Sequence, residues 1–201
     1  MPKLDKILKE VDYALNILFE QNKTDDRDNQ LDDKDKKQSQ RVMRVNHMGE
    51  VCAQGLYRGQ ALTSKDSALE KVIINMCDEE KAHLELCNTR LDELSGHKSY
   101  LNPLWYLTSF ALGAYVGTLE KDKALGFIYE TERQVEKHLD EYTQKLPNSD
   151  MKSKELLHKI KLDETKHKNT AKDEGSVILD DRTKKLMSST ASFMKRLSFY
   201  I

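Results

Sequence analysis

Glutamates and histidines recur along this 201-residue chain at one fixed distance. Glu50, Glu80 and His83 are followed by Glu132, Glu164 and His167, at offsets of 82, 84 and 84 residues. Such agreement is hard to obtain by chance, and it reads as an internal duplication of one helix-hairpin half-site. Glu80/His83 and Glu164/His167 are both Glu-x-x-His pairs. On a helix that spacing puts a carboxylate and an imidazole about 60° apart on one face, so both can reach one metal ion. A third such pair, Glu155/His158, has to be weighed against the apolar face of its own helix.

The rest of the chain supports helices. Only 8 Gly and 3 Pro interrupt it, too few breakers for a sandwich or barrel. Apolar residues at helical spacing mark 1–20, through Leu4, Ile7, Leu8, Val11, Leu15 and Leu18. The same periodicity marks 41–61, 65–94, 102–118, 120–146, 151–173 and 181–201. Residues 21–40, QNKTDDRDNQLDDKDKKQSQ, hold one large apolar side chain in twenty and read as a solvated charged linker. Ser95-Gly96 suits a helix stop, and Pro147-Asn148-Ser149-Asp150 ends one helix and offers caps for the next. The expectation is an all-α chain: an amphipathic helix (1–20), a linker (21–40) and one internally duplicated helical domain (41–201).

Composition excludes several classes. Lys and Arg number 33 against 34 Asp and Glu, so there is no basic excess of the kind nucleic-acid binding needs. Cys52, Cys77 and Cys87 form no Cys-x-x-Cys pair and read as reduced thiols packed as small apolar residues. The N-terminal residues lack the basic start and unbroken apolar core of a secretory signal. One stretch stands apart: 99–119, SYLNPLWYLTSFALGAYVGTL, carries no charge over 21 residues. That is long enough to span a bilayer. Pro103, Asn102, Thr108, Ser109 and two glycines favour instead a helix buried in the protein or lying in a membrane interface. Gly113 and Gly117 make a lone GxxxG, weak ground for close helix packing.

Face assignments sort the carboxylates. Advancing about 100° per residue, Leu69, Ile73, Met76, Leu84, Cys87, Leu91 and Leu94 all fall within about 40° of Glu80. A carboxylate in the middle of such a stripe costs several kcal/mol unless something cationic meets it. Leu157, Ile160 and Ala171 surround Glu164, whereas Glu155 lies on the opposite face, so Glu155/His158 reads as solvated. Glu50 is the only acid within 41–61 and shares its face with Met43, Asn46, Tyr57 and Ala61. Glu132 is flanked by Leu125, Ile128, Leu139 and Leu146; Glu136 lies about 40° to one side, so geometry alone leaves both open. Glu130 points away.

A glutamate from each of two helices plus Glu-x-x-His from each of two others is the ligand arrangement of ferritin-like di-iron and di-manganese bundles. Four carboxylates balance two divalent cations. Histidine with carboxylate suits Fe or Mn better than Ca or thiolate-bound Zn. The plainer alternative, a bundle of satisfied buried salt bridges, lacks the cations: only Lys121 and Lys168 approach these faces, at their margins. Tyr57 is a core tyrosine or approaches the site, and Asn46 is placed to hydrogen-bond a ligand. Cys77 lies one turn before Glu80, and His138 about 120° from Glu132. His47, His97 and His158 read as structural or exposed.

RVNHMGEVCAQGLYRGQA (44–61), DEEKAHL (78–84), FALGAYVG (110–117), ETERQVEKHL (130–139) and KLDETKH (161–167) together resemble the demethoxyubiquinone hydroxylase family. The resemblance runs from about residue 41 to the end, and the bacterial form fits 1–20 more loosely. It implies a ferritin-like four-helix bundle with additional helices. It also implies a di-iron, O2-dependent monooxygenase that hydroxylates the ring of a demethoxyubiquinol in ubiquinone biosynthesis. The iron ligands would be Glu50, Glu80, His83, Glu132, Glu164 and His167, which selects Glu132 over Glu136. Electrons would come from NADH through the quinone itself; no GxGxxG is present, so the reductant is bound weakly or delivered indirectly.

A polyprenylated quinol is nearly insoluble in water, so its enzyme must collect it from a bilayer. The uncharged 99–119 run is then expected to face the membrane around Leu101, Leu104, Trp105, Leu107 and Phe110, with Trp105 and Tyr106 at the interface or in the core. The protein would sit peripherally on the cytoplasmic side of the cell membrane. A ferritin-like iron-handling protein or a rubrerythrin-like peroxide scavenger is the alternative; rubrerythrins usually add a four-cysteine module that has no counterpart here. The sequence does not distinguish a homo-oligomer from a larger biosynthetic complex.

Overall fold

A computed structural model describes residues 2–19, 28 and 30–201. They form α1 (Pro2–Phe19), α2 (Asp33–Thr63), α3 (Ser67–Glu93), α4 (Asn102–Val116), α5 (Lys121–Thr143), α6 (Met151–Asp173) and α7 (Asp181–Tyr200), with no strand among the described residues. The chain is a ferritin-like helical bundle. α2 pairs with α3 and α5 with α6, each across a short connection. α4 lies along the outside of α2, α7 contacts α2 and α5, and α1 rests on α2 and α4.

The start of α2 departs from the expected linker. Residues 20–27 and 29 lie outside the described residues, but 33–40 are helical. Asp32 caps the helix by accepting from Asp35 N, and Asp33 and Asp35 meet the positive end of its dipole. Ser39 is buried, and Gln40 Nε2 donates to Leu94 O. Polar groups anchor this turn, and an apolar periodicity does not register them.

Two apolar clusters fill the four-helix core, one towards each end. Val42, Met43, Leu91, Leu94, Leu139, Leu146, Leu157 and Ile160 belong to the first. Tyr57, Ala61, Leu69, Ile73, Leu125, Ile128 and Ala171 belong to the second. On every helix the expected site residues fall between these two sets. A third cluster ties Ile17 of α1 to Val51, Leu84 and Tyr106. Arg90, 1% exposed, closes the end beyond the first cluster. It donates to Ser153, Glu93, Asp28 and Asp150. Arg90→Ala removes the buried cation shared by Glu93, Asp28 and Asp150 and is expected to cost about 3 kcal/mol or more in urea unfolding; an unchanged midpoint would contradict this.

α4 divides the uncharged segment between a face packed on the bundle and an exposed apolar face. Among the described residues no helix is long and apolar enough to cross a membrane. Trp105 and Tyr106 are buried, and Trp105 Nε1 donates to Ser198 Oγ at 3.1 Å, so both are core aromatics. Leu101 and Phe110 pack against the core, while Leu104 and Leu107 are exposed. On the inner face the missing charge reflects a helix–helix contact. A Cβ on Gly113 would overlap the Leu56 carbonyl, one on Gly117 the Gln60 carbonyl, and one on Gly59 the Phe110 carbonyl. Gly55 adds a fourth close approach, to Tyr106 O. The weak GxxxG of α4 thus has a Gly-x-x-x-Gly counterpart on α2.

The helix stop predicted at Ser95-Gly96 falls on Ser95 itself, the one non-glycine at positive φ (57°) among the described residues.

Candidate metal centre

All six expected residues converge in the layer between the two apolar clusters. α2 supplies Glu50, α3 Glu80 and His83, α5 Glu132, and α6 Glu164 and His167, and every one is buried. Their donor atoms form two overlapping groups. One is Glu50, Glu80, His83 and Glu164; the other is Glu80, Glu132, Glu164 and His167; within each, the donor atoms lie within 4.8 Å of one another. Glu80 and Glu164 belong to both. His83 Nδ1 is 3.1 Å from Glu80 Oε2 and 3.5 Å from Glu164 Oε1. His167 Nδ1 is 3.0 Å from Glu80 Oε1 and 3.3 Å from Glu164 Oε2. The 3.0 Å approach lacks hydrogen-bond alignment, so Glu80 Oε1 is a buried oxygen without a hydrogen-bond partner. Hard carboxylate oxygens and inward Nδ1 atoms fit Fe or Mn.

Protonation shows how such a set can exist without metal. Burial pushes Glu50 and Glu132 well above the usual carboxylate range, and the neighbouring Glu80 and Glu164 charges push the same way. Burial also opposes charge on Glu164, but hydrogen bonds from His167, His83 and Glu132 hold it down at about 2. Burial works against charged imidazoles too, yet the close Glu164 and Glu80 carboxylates raise His83 to about 11 and His167 to about 12. Burial thus favours the protonated, neutral form of Glu50 and Glu132, while the carboxylates around them favour charged imidazoles at His83 and His167. These protons must leave as metal enters, so affinity falls as the pH is lowered. Titrating a divalent metal into weakly buffered protein is expected to acidify the solution, read with a pH indicator; uptake without acidification would contradict this.

The other candidates separate cleanly. Glu136 pairs with Lys168 and accepts from Thr165 Oγ1. Lys121 pairs with Glu174 at 3.1 Å, so neither marginal lysine serves the buried carboxylates. Glu130 accepts from Arg133 and Gln134, on the side towards α7. Glu155 and His158 are exposed, as expected of a solvated pair. His138 is buried against Tyr142, with ring centroids 4.2 Å apart. His47 is buried and 3.3 Å from Asn102 Nδ2, and His97 is exposed.

Asn46 Nδ2 donates to Val42 O, and Tyr57 is a core residue with no hydrogen-bond partner for its hydroxyl. Cys77 turns away from the carboxylates, donating to Gln54 Oε1 beside Tyr13 of α1. It is Cys87 that lies near them: burial pushes its thiol up first, and Glu50, Glu164 and Glu80 add to the effect. Sequence reasoning missed two acids. Glu79 Oε2 lies 2.9 Å from His167 Nε2, and Asp163 Oδ2 lies 3.3 Å from His83 Nε2.

Two glutamates and two Glu-x-x-His pairs meeting inside an antiparallel helical core place the protein among the ferritin-like bundles with a carboxylate–histidine centre. Known sequences narrow this class. Residues 37–198 match the family model "Ubiquinone biosynthesis protein COQ7", and the chain belongs to that family. It is 40% identical to the 3-demethoxyubiquinol 3-hydroxylase of Nitrosospira multiformis, over the whole length of both chains. The protein of the same name from Nitrosomonas eutropha is 39% identical, again over both full lengths. That of Coxiella burnetii is 44% identical over 83% of this chain and 78% of its own.

Proposed function

We propose that this chain is a 3-demethoxyubiquinol 3-hydroxylase, an O2-dependent di-iron monooxygenase of ubiquinone biosynthesis. The observation that carries the reading is the convergence of six buried donors, in two groups sharing Glu80 and Glu164, within a member of this family. Glu50 and His83 would complete one iron site and Glu132 and His167 the other. When bound, iron would supply the activation of O2 that lets an aromatic ring accept a hydroxyl group. The chain itself holds those donors in register on four helices. Its apolar clusters on either side keep water from the centre. Burial favours the neutral form of Glu50 and Glu132, so each would give up a proton on becoming a ligand. Reducing equivalents would come from NADH, passed through the quinone.

Substrate collection from a bilayer has support at the surface. α1 exposes Leu4, Ile7, Leu8, Val11 and Leu15, and α4 exposes Leu104, Leu107, Leu112 and Tyr115. Ile17 brings the two helices together through Tyr106 and Phe110. An apolar surface of this kind suits peripheral attachment at the cytoplasmic face of the cell membrane, beside a polyprenylated quinol.

The test uses iron-loaded protein, a demethoxyubiquinol in detergent micelles, a reductant and labelled O2. Ring hydroxylation with oxygen derived from O2 is expected. Peroxide removal with no hydroxylated quinol would favour the peroxide-scavenging alternative instead.

A further inference from the structure

We infer that Glu79 and Asp163 are a reciprocal pair of positioning residues, each fixing the histidine of the opposite helix for metal binding. The inference rests on the reading of His83 and His167 as ligands. Each acid stands immediately before the shared glutamate of its own helix, Glu79 before Glu80 and Asp163 before Glu164. Each reaches across to the other helix. His167 Nε2 of α6 donates to Glu79 of α3 at 2.9 Å, and His83 Nε2 of α3 donates to Asp163 of α6 at 3.3 Å. Glu79 and Asp163 are 84 residues apart, the same offset as Glu80 to Glu164 and His83 to His167. The repeat therefore carries the brace as well as the ligands.

A neutral imidazole has one N–H. When a carboxylate takes it at Nε2, the Nδ1 lone pair must point the other way and the ring cannot turn over. Here both Nδ1 atoms face the shared glutamates. α3 and α6 approach each other less closely than the helices of either hairpin. The two braces thus add to the polar contacts that His83 and His167 make with Glu164 and Glu80 across the gap between α3 and α6. They are unequal: the Asp163 side chain is 24% exposed and paired with Lys166 at 2.6 Å, whereas Glu79 is 59% exposed. Water substitutes more readily for Glu79, so Asp163 carries the larger share.

The test titrates anaerobic metal-free protein with Co(II), reading both the affinity of each ion and the visible ligand-field bands. Wild type is compared with Glu79→Ala, Asp163→Ala and the amides Glu79→Gln and Asp163→Asn, whose carbonyl oxygen still accepts from Nε2. Each alanine variant is expected to weaken one ion by about 10–100-fold, with altered bands, and Asp163→Ala more than Glu79→Ala. The amides should recover most of the loss, and the unfolding midpoint of metal-free protein should move little. Glu79→Met and Asp163→Leu, which fill the space without accepting, should repeat the alanine result. Alanine variants that titrate like wild type would overturn the inference. So would equal weakening of both ions in step with lost stability, or amides as poor as alanine. Wild type that takes up no Co(II) would instead remove the reading of the six residues as ligands, and the brace with it.

Discussion

Glu164→Ala is expected to lose both metal ions and ring hydroxylation, while Glu155→Ala keeps both near normal. The comparison is stringent because the two glutamates share a helix and each begins a Glu-x-x-His pair. They differ only in the face they occupy. Glu164 is 1% exposed and common to both donor groups, whereas Glu155 is exposed. Losing a group that merely supports a ligand costs about 10–100-fold in affinity or activity, so losing a ligand shared by both ions should exceed about 100-fold. Metal content and initial hydroxylation rate check it together. Activity that survives Glu164→Ala but not Glu155→Ala would overturn the face assignment.

Gly113→Leu is expected to prevent folding. Its Cβ would overlap the carbonyl, and crowd the Cα, of Leu56. Overpacking costs about 1–3 kcal/mol where a neighbouring side chain can give way. Here the obstacle is backbone, and α2 cannot retreat, because its other face carries Glu50 and Tyr57 into the core. The helices would have to separate, a loss on the scale of the whole stability of about 5–15 kcal/mol. Circular dichroism against temperature should show no cooperative transition. Gly49→Ala is the control: a Cβ there meets nothing within 4 Å, and the helix should gain about 0.5–1 kcal/mol. A cooperative Gly113→Leu variant of ordinary stability would contradict the packing account.

The four-helix core and the six converging donors were legible because burial on a helix leaves a periodic trace. Glu80 amid leucines is conspicuous, and Glu155 amid lysines is not. The trace fades where polar groups do the burying. Gln40 is held by a hydrogen bond to Leu94 O and Ser39 is buried, so the first turns of α2 read as linker. Residues 99–119 lack charge, and composition does not tell which face of the helix meets another helix. The feature that marks the inner face, Gly55 and Gly59 on α2, lies far away in sequence. Cys77 and Cys87 both lie within about two turns of Glu80; Gln54 of α2 and Tyr13 of α1 draw Cys77 into a different cluster. Counting formal charges likewise takes no account of burial, which favours the neutral form of Glu50 and Glu132. Glu79 and Asp163 were in reach, since they obey the same 84-residue offset as the ligands they support.

Iron content after anaerobic reconstitution with Fe(II) and removal of excess metal tests the central claim most directly. Six donors in two groups sharing two carboxylates predict about two irons per chain. A content well below two, in protein that remains folded, would contradict the di-iron account.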